Sequence, residues 1–295
     1  MTKKNVLNAL FLASRPKTLP AAVAPVIIGS AMAFADGRGH WLSAIVAAIA
    51  AVLIQIGTNY ANDYFDYFSG ADRTGRLGPT RATQAGLVKP ATMKKAFVIT
   101  FILAILLGFY LVYRAGWPVV VIGLSSILFG VLYTTGPFPL GYHGLGDIFV
   151  FLFFGLVAVS GTYYVQALLL TPEAVIAGVA PGLLSTAILT VNNLRDFAAD
   201  TKAAKKTLVV RFGAVFGLAE YLACFICAAI VQIILVLLSN GHFFSLVSIL
   251  SLTMAVPSVK ILISRQPGVI YNRVLADTGK ILLLYSILFS IGWIL

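Results

Sequence analysis

Nine apolar stretches recur along this chain, near 18–35, 41–61, 96–113, 117–135, 147–169, 173–194, 214–238, 243–263 and 278–295. Most approach the roughly 20 residues that a helix needs to cross about 30 Å of hydrocarbon. Lipid offers no partner for backbone N–H and C=O groups, so such a chain must satisfy them within its own helices. The expected fold is an all-α integral membrane bundle of nine transmembrane helices, forming a single polytopic domain over residues 1–295. Composition agrees with this. Of the 295 residues, 60% are hydrophobic and only 11% charged, too few polar side chains to give each helix the wet face a soluble domain requires.

The net charge of +11 raises nucleic acid as a partner, but the placement of the cations argues against it. With the N-terminus in the cytoplasm, nine crossings put all but Arg38 and Arg114 of the 21 Lys and Arg residues on the cytoplasmic side or at its edge. That bias sets orientation in membrane proteins. The expected location is the inner (plasma) membrane, multi-pass, with no nucleic acid and no obligatory protein partner. Ala31-Met32-Ala33 resembles a small-residue cleavage site. Arg15-Pro16-Lys17 interrupts the run before it, and the following stretch is long enough to span, so a retained first helix is expected. Residues 5–13 (NVLNALFLA) then form a short interfacial helix. Cys224 and Cys227 lie mid-span without a neighbouring His, which reads as packing rather than zinc or redox chemistry.

Connections between the stretches are unequal. Those at 36–40, 114–116, 170–172 and 239–242 are short; those at 62–95, 136–146, 195–213 and 264–277 are longer, cytoplasmic in this topology, and hold nearly all the polar chemistry. Two of them open on an echo. Asn62-Asp63-Tyr64-Phe65-Asp66 closes the second stretch, and Asn192-Asn193-Leu194-Arg195-Asp196 closes the sixth. Four crossings separate the two, so both helices run the same way and end on one membrane face. Two four-helix pseudo-repeats plus one helix, with cytoplasmic cap loops, account for that parity.

Residues four apart share a helix face, which pairs Asn62 with Asp66 and aligns Asn192, Asp196 and Asp200. Carboxylates at the end of a membrane helix are costly unless they meet water, a partner or a metal. Two such ends facing each other suit Mg²⁺, which prefers oxygen ligands and leaves positions open for phosphate oxygens. Arg73, Arg76, Arg81 and Lys89 follow the first cluster, and Lys202, Lys205, Lys206 and Arg211 the second. Cations beside carboxylate-bound Mg²⁺ are what a diphosphate requires, while Lys94 and Lys95 are accounted for by anchoring to anionic lipid. A diphosphate at the mouth of an apolar bundle points to a polyprenyl diphosphate whose tail lies among the helices. Mg²⁺ assists departure of the diphosphate, and aromatic faces stabilise the allylic cation. Tyr60, Tyr64, Phe68, Tyr133 and Tyr142 are the candidates for that task. There is no G-x-S-x-G, H-E-x-x-H or Walker loop, and only His40, His143 and His242 are present, so histidine-centred catalysis is not expected.

The stretches RPKTLPAAVAPVIIGSA (15–31), NDYFDYFSGADRTGRLGPTRATQAGLV (62–88), YTTGPFPLGYHGLGDIFVFLFFG (133–155) and NNLRDFAADTKAAKKTLVVRFG (192–213) resemble the UbiA superfamily of intramembrane prenyltransferases. Within it they are similar to the MenA branch, the 1,4-dihydroxy-2-naphthoate polyprenyltransferases. The resemblance implies transfer of a polyprenyl group from polyprenyl diphosphate to 1,4-dihydroxy-2-naphthoate, with loss of CO₂ and diphosphate, to give demethylmenaquinone; a phytyl donor would give a phylloquinone precursor. It implies that Asn62, Asp66, Asp196 and Asp200 hold Mg²⁺–diphosphate, with Asp63 and Asp72 as additional ligands. Arg76, Arg81, Lys202 and Lys206 become diphosphate contacts, Arg15 and Lys17 position the acceptor carboxylate, and Tyr133 lies at the substrate. The superfamily's first motif is Asn-x-x-x-Asp-x-x-x-Asp, whose third position falls here on Gly70, with Asp72 two residues later. Ala204 stands where many relatives carry glycine. Rival readings are an enzyme of the same superfamily acting on 4-hydroxybenzoate, homogentisate, a chlorophyllide or haem, and a secondary transporter. A transporter places its coupling charges near the bilayer midplane, whereas here the clustered acids sit at helix ends on one face, with Glu220, two turns into the seventh stretch, the one exception.

Overall fold

The computed structural model describes residues 3–69, 77–78, 80–239, 241–264 and 266–295, and its helices follow the apolar stretches. In chain order they are α1 (Lys3–Ala13), α2 (Pro20–Ala35), α3 (Trp41–Ser69), α4 (Pro90–Ala115), α5 (Trp117–Leu132), α6 (Gly146–Ala167), α7 (Pro172–Lys202), α8 (Leu208–Phe212), α9 (Ala214–Ser239), α10 (Phe243–Ser264) and α11 (Tyr271–Ile294). Among the described residues, seven helices are long and apolar enough to cross a membrane. An eighth is counted if Asn5–Thr18 and α2, which meet at a 54° bend, form one span. The expectation of nine crossings is therefore met in part. Each predicted stretch is helical, but α2 and α5 have 16 residues each, short for a lone crossing.

Several helices outrun the stretches that predicted them. α3 continues to Ser69 and α7 to Lys202, while α11 begins at Tyr271. Polar residues extend these ends because they find partners along the helix: Asp277 is bridged by Arg273 and Lys280 at 3.7 and 2.8 Å, at the spacing where helical side chains meet.

α7 is the axis of the bundle. In its apolar window 72% of residues are buried, against 22% in α3 and in α4. Around it α2, α6, α9, α10 and α11 share one core, with Ile28, Met32, Tyr163, Leu184, Tyr221 and Leu282 at its centre. Helices surrounded by lipid gain little from the hydrophobic effect on meeting, so close backbone approach and interhelical hydrogen bonds hold them together. The buried Gln232 shows the second device: it donates to Ser245 at 2.9 Å and accepts from Tyr285 at 2.9 Å. The first is seen at a π turn inside α6, Leu152–Val157, a feature often found at functional sites. There a Cβ added to Gly155 would lie 2.5 Å from the Gly178 carbonyl oxygen; only glycine lets α6 approach α7 so closely.

α3, α4 and α5 form a looser layer, and a cavity of about 590 Å³ separates them from α2 and α6. One end of the cavity is closed by Val46, Leu111, Ala115, Val119 and Val165. The other reaches Asn59, Asn62 and Tyr133. Above that mouth, α1 is tied to α3 by the Asn59 amide donating to the Ser14 carbonyl at 2.9 Å and the Tyr60 hydroxyl donating to Leu10 at 3.1 Å.

Candidate active site

α3 brings its Asp-rich end to the mouth of the cavity, which Asn62 lines together with Tyr133, and the Asp-rich end of α7 is joined to the chain after α3 through Arg195, Asn272 and Leu77. Because α3 runs through Ser69, Asn62, Asp63 and Asp66 are all helical, and Asn62 and Asp66 share a face. The Thr134 hydroxyl donates to Asn62 Oδ1. The Arg81 guanidinium pairs with Asp66, which is 4% exposed.

Asp63 takes a different task from the one expected of it. Its two carboxylate oxygens accept the backbone N–H groups of Ala82 and Thr83, each at 2.9 Å. Those groups open a turn closed by Ala85 donating to Arg81 and Leu87 donating to Ala82, with Gly86 at φ 70°. Asp63 thus anchors the turn that carries Arg81. Asp72 and Arg76 lie outside the described residues.

The second motif is organised by Arg195, which is 2% exposed. Its guanidinium forks onto Asp196 at 2.9 and 2.6 Å and also donates to Asn192 at 2.7 Å and Asn272 at 2.8 Å. Asn272 in turn donates to the Leu77 carbonyl at 2.8 Å, joining α11 to the segment before Arg81. α7 then ends in a Schellman motif. Lys205 N–H returns to the Asp200 carbonyl at 3.0 Å and Ala204 N–H to Thr201 at 3.2 Å, with Ala204 left-handed at φ 54°. This is the position at which glycine is favoured, and it accounts for the glycine expected there. The motif folds Lys205 back so that its ammonium meets the Asp200 carboxylate at 3.2 Å and lies 4.9 Å from the centre of the Tyr142 ring.

Electrostatics show the two motifs acting on common groups. Burial opposes the Lys205 charge, but Asp200, Tyr142 and Asp66 outweigh it and raise the ammonium above the ordinary lysine range. Burial pushes the Tyr133 phenol up; Asp147, Asp200 and Asp66 add to this and Arg15 opposes it. Tyr133, just past the end of α5, lines the cavity with Asn62, and its ring lies against Gly141 and Gly146. Of the other expected contacts, Arg15 is half-buried, while the side chains of Lys17, Lys202 and Lys206 are exposed. Lys206 joins the site through its backbone, donating to the Tyr142 carbonyl at 2.8 Å. Glu220 lies apart and accepts from the Thr190 hydroxyl at 3.1 Å.

The aromatic candidates divide sharply. Tyr133 lines the cavity. Tyr60 is bound to Leu10, and Tyr64 packs on Phe65, Phe68 and Phe97. Tyr142 lies under Lys205. The cavity wall next to Tyr133 is built instead by Phe129, Phe149 and Phe153; the Phe129 ring is 4.7 Å from Phe149 and 5.5 Å from Phe153. The i,i+4 spacing of Phe149 and Phe153 was the one signal in the sequence for this wall. Lys205 was visible only as a member of a basic run, and Arg195 only as an intervening position of the second echo.

Asn62, Asp66, Asp196 and Asp200 are hard oxygen donors, the chemistry that suits Mg²⁺. Among the described residues no three His, Cys, Asp or Glu side chains converge into a cage. Asp66, Asp196 and Asp200 are ion-paired with Arg81, Arg195 and Lys205 respectively.

Comparison with known proteins adds three findings. The sequence profile described as the UbiA prenyltransferase family matches residues 22–286. The chain is 39% identical over 285 residues to the 1,4-dihydroxy-2-naphthoate octaprenyltransferase of Escherichia coli (strain K12), covering 94% of this chain and 92% of that one. It is 34% identical over 288 residues to the protein of the same name from Haemophilus influenzae, covering 95% and 93%. Among solved structures, a UbiA homolog from Archaeoglobus fulgidus bound to GPP and Mg²⁺ shares the fold at a TM-score of 0.68 and 13% identity, over 97% of this chain and 99% of that one.

Proposed function

The chain belongs to the UbiA prenyltransferase family, and from that premise we propose that it transfers a polyprenyl group from polyprenyl diphosphate to 1,4-dihydroxy-2-naphthoate. The allylic C–O bond breaks with its electron pair leaving on diphosphate, a ring carbon forms the new C–C bond, and the ring carboxylate departs as CO₂. The step is redox-neutral, so its immediate product is the reduced ring, demethylmenaquinol, whose two-electron oxidation to demethylmenaquinone is a separate event; this places the step in menaquinone biosynthesis. The observation that carries the reading is the Asp-rich end of α3 at the mouth of an apolar cavity, joined to the end of α7 through Arg195, Asn272 and Leu77; the names of relatives at 34–39% identity support the acceptor.

In this reading Asn62 and Asp66 from α3, with Asp196 and Asp200 from α7, hold Mg²⁺. The ion, when bound, neutralises the leaving diphosphate and favours ionisation of the allylic bond. Arg81, paired with Asp66, and Lys205, paired with Asp200, bind diphosphate oxygens, with Arg76, Lys202 and Lys206 adding charge around the mouth. Arg15 and Lys17 position the acceptor carboxylate. Tyr133 and the Phe129, Phe149 and Phe153 wall present ring faces to the cation, and the apolar cavity excludes water that would otherwise capture it. Nine crossings built from two four-helix repeats and a last helix, with the site facing the cytoplasm across the plasma membrane, are supported by the parity of the two motifs and the one-sided Lys and Arg.

The test is to incubate purified protein with a labelled prenyl diphosphate and either 1,4-dihydroxy-2-naphthoate or 4-hydroxybenzoate. A phytyl diphosphate is run alongside. Prenylated, decarboxylated naphthoate is the expected product. Prenylation of 4-hydroxybenzoate alone would overturn the assignment of the acceptor.

A further inference from the structure

Three of the helices around the cavity each lack a side chain at nearly the same depth. Gly108 on α4, Gly123 on α5 and Gly161 on α6 all line the cavity, and each lies about two turns from the end of its helix remote from the Asp-rich motifs. None has a positive φ, so no turn requires glycine there. Close packing does not require it either. A Cβ added at Gly108 or Gly123 would meet nothing within 4 Å, and at Gly161 only the Ile122 side chain, at 3.5 Å. Gly29 and Gly182, by contrast, would strike backbone oxygens at 2.5 and 2.6 Å. Glycine in a helix interior is less favourable than alanine, so three of them around one void have no local structural reason.

The void supplies one. It is continuous with the polar mouth, since Asn59, Asn62 and Tyr133 line it together with the glycines. From Tyr133 to Gly123 along α5 is about 15 Å of helix at 1.5 Å per residue. Beyond the glycine level the cavity reaches Val112, Val119 and Val165. Behind this floor a polar network joins the helices: Gln166 donates to Ser30 at 3.0 Å and accepts from the His40 N–H at 3.3 Å, and His40 meets Ser43 at 3.0 Å.

We propose that Gly108, Gly123 and Gly161 determine the length of isoprenoid the protein accepts, by leaving open the passage from Tyr133 to the floor at Val112, Val119 and Val165. This rests on the reading that the cavity holds the donor's tail. A short allylic diphosphate ends above the glycine level, and a long one must pass it.

The experiment compares kcat/KM for geranyl diphosphate and octaprenyl diphosphate in the wild type, Gly108→Leu and Gly123→Leu. A single side chain placed in an apolar passage should lower the long-to-short ratio by about tenfold or more. An unchanged or increased ratio overturns the proposal and leaves the deep cavity to a lipid acyl chain. If the Leu variants fail to fold, the triple alanine variant at 108, 123 and 161 is measured instead, since the methyl groups at 108 and 123 meet open space and the one at 161 only ordinary contact with Ile122; a lowered ratio supports the proposal and an unchanged one overturns it. The two readings fail separately. A wild type that prenylates with neither donor tells against prenyl transfer itself, whereas one that uses both while the variants keep its ratio tells against the glycines alone.

Discussion

Asp66 is paired with Arg81, Asp196 with Arg195 and Asp200 with Lys205, and the three pairs differ in what a substitution would do to them. Arg195 is almost wholly enclosed, so Asp196→Ala leaves a buried charge without its partner, which destabilises by about 3–5 kcal/mol. Asp66→Asn and Asp200→Asn keep the shape and part of the hydrogen bonding while removing the charge. These two should lower kcat/KM by about 10²–10³ with a small change in Tm, measured in a steady-state prenyl transfer assay and a thermal melt; activity near wild type would remove the carboxylates from the chemistry. Ala204 makes a prediction of the opposite kind. A left-handed alanine costs about 1–2 kcal/mol relative to a residue without a Cβ. Ala204→Gly should therefore raise stability by roughly 1 kcal/mol and leave turnover unchanged, a result that a denaturation curve beside the assay reads directly.

At the scale of elements, the turn after α3 is where sequence and structure diverge most. Spacing by four placed Asn62 with Asp66 and Asp196 with Asp200 on helix faces, because a helix repeats nearly every four residues wherever it lies. Asp63 was not legible in the same way, since its partners are the backbone groups of Ala82 and Thr83, and backbone groups carry no mark in a sequence. It acts through Arg81, as a positioning residue. Asp63→Ala removes two charge-assisted hydrogen bonds and should raise the KM for the prenyl diphosphate about tenfold while kcat falls less, with Asp63→Asn recovering part of the loss. A fall in kcat matching that of Asp66→Asn, with a changed Mg²⁺ requirement, would make Asp63 a ligand after all. The aromatic wall was hidden for another reason. Phe129 and Phe149 come from different helices, and nothing among 20 phenylalanines distinguishes those facing a void from those facing lipid.

For the whole molecule, hydropathy sufficed to give helices, their order and the common end of both motifs, because lipid permits few other solutions to backbone hydrogen bonding. The cavity was beyond its reach. It exists because the tight core around α7 takes up α2, α6, α9, α10 and α11, leaving α3, α4 and α5 as a looser wall, and that division depends on packing rather than on composition. In the proposed function the ends of α3 and α7 form one Mg²⁺–diphosphate site at the mouth of this cavity. Calorimetric binding of a non-reactive thiolodiphosphate analogue of the prenyl donor to wild type, Asp66→Asn and Asp200→Asn, with Mg²⁺ and with EDTA, tests it. Binding by the wild type should require Mg²⁺ and be weakened in both variants. Binding that ignores EDTA, or that only one of the two variants impairs, would contradict it.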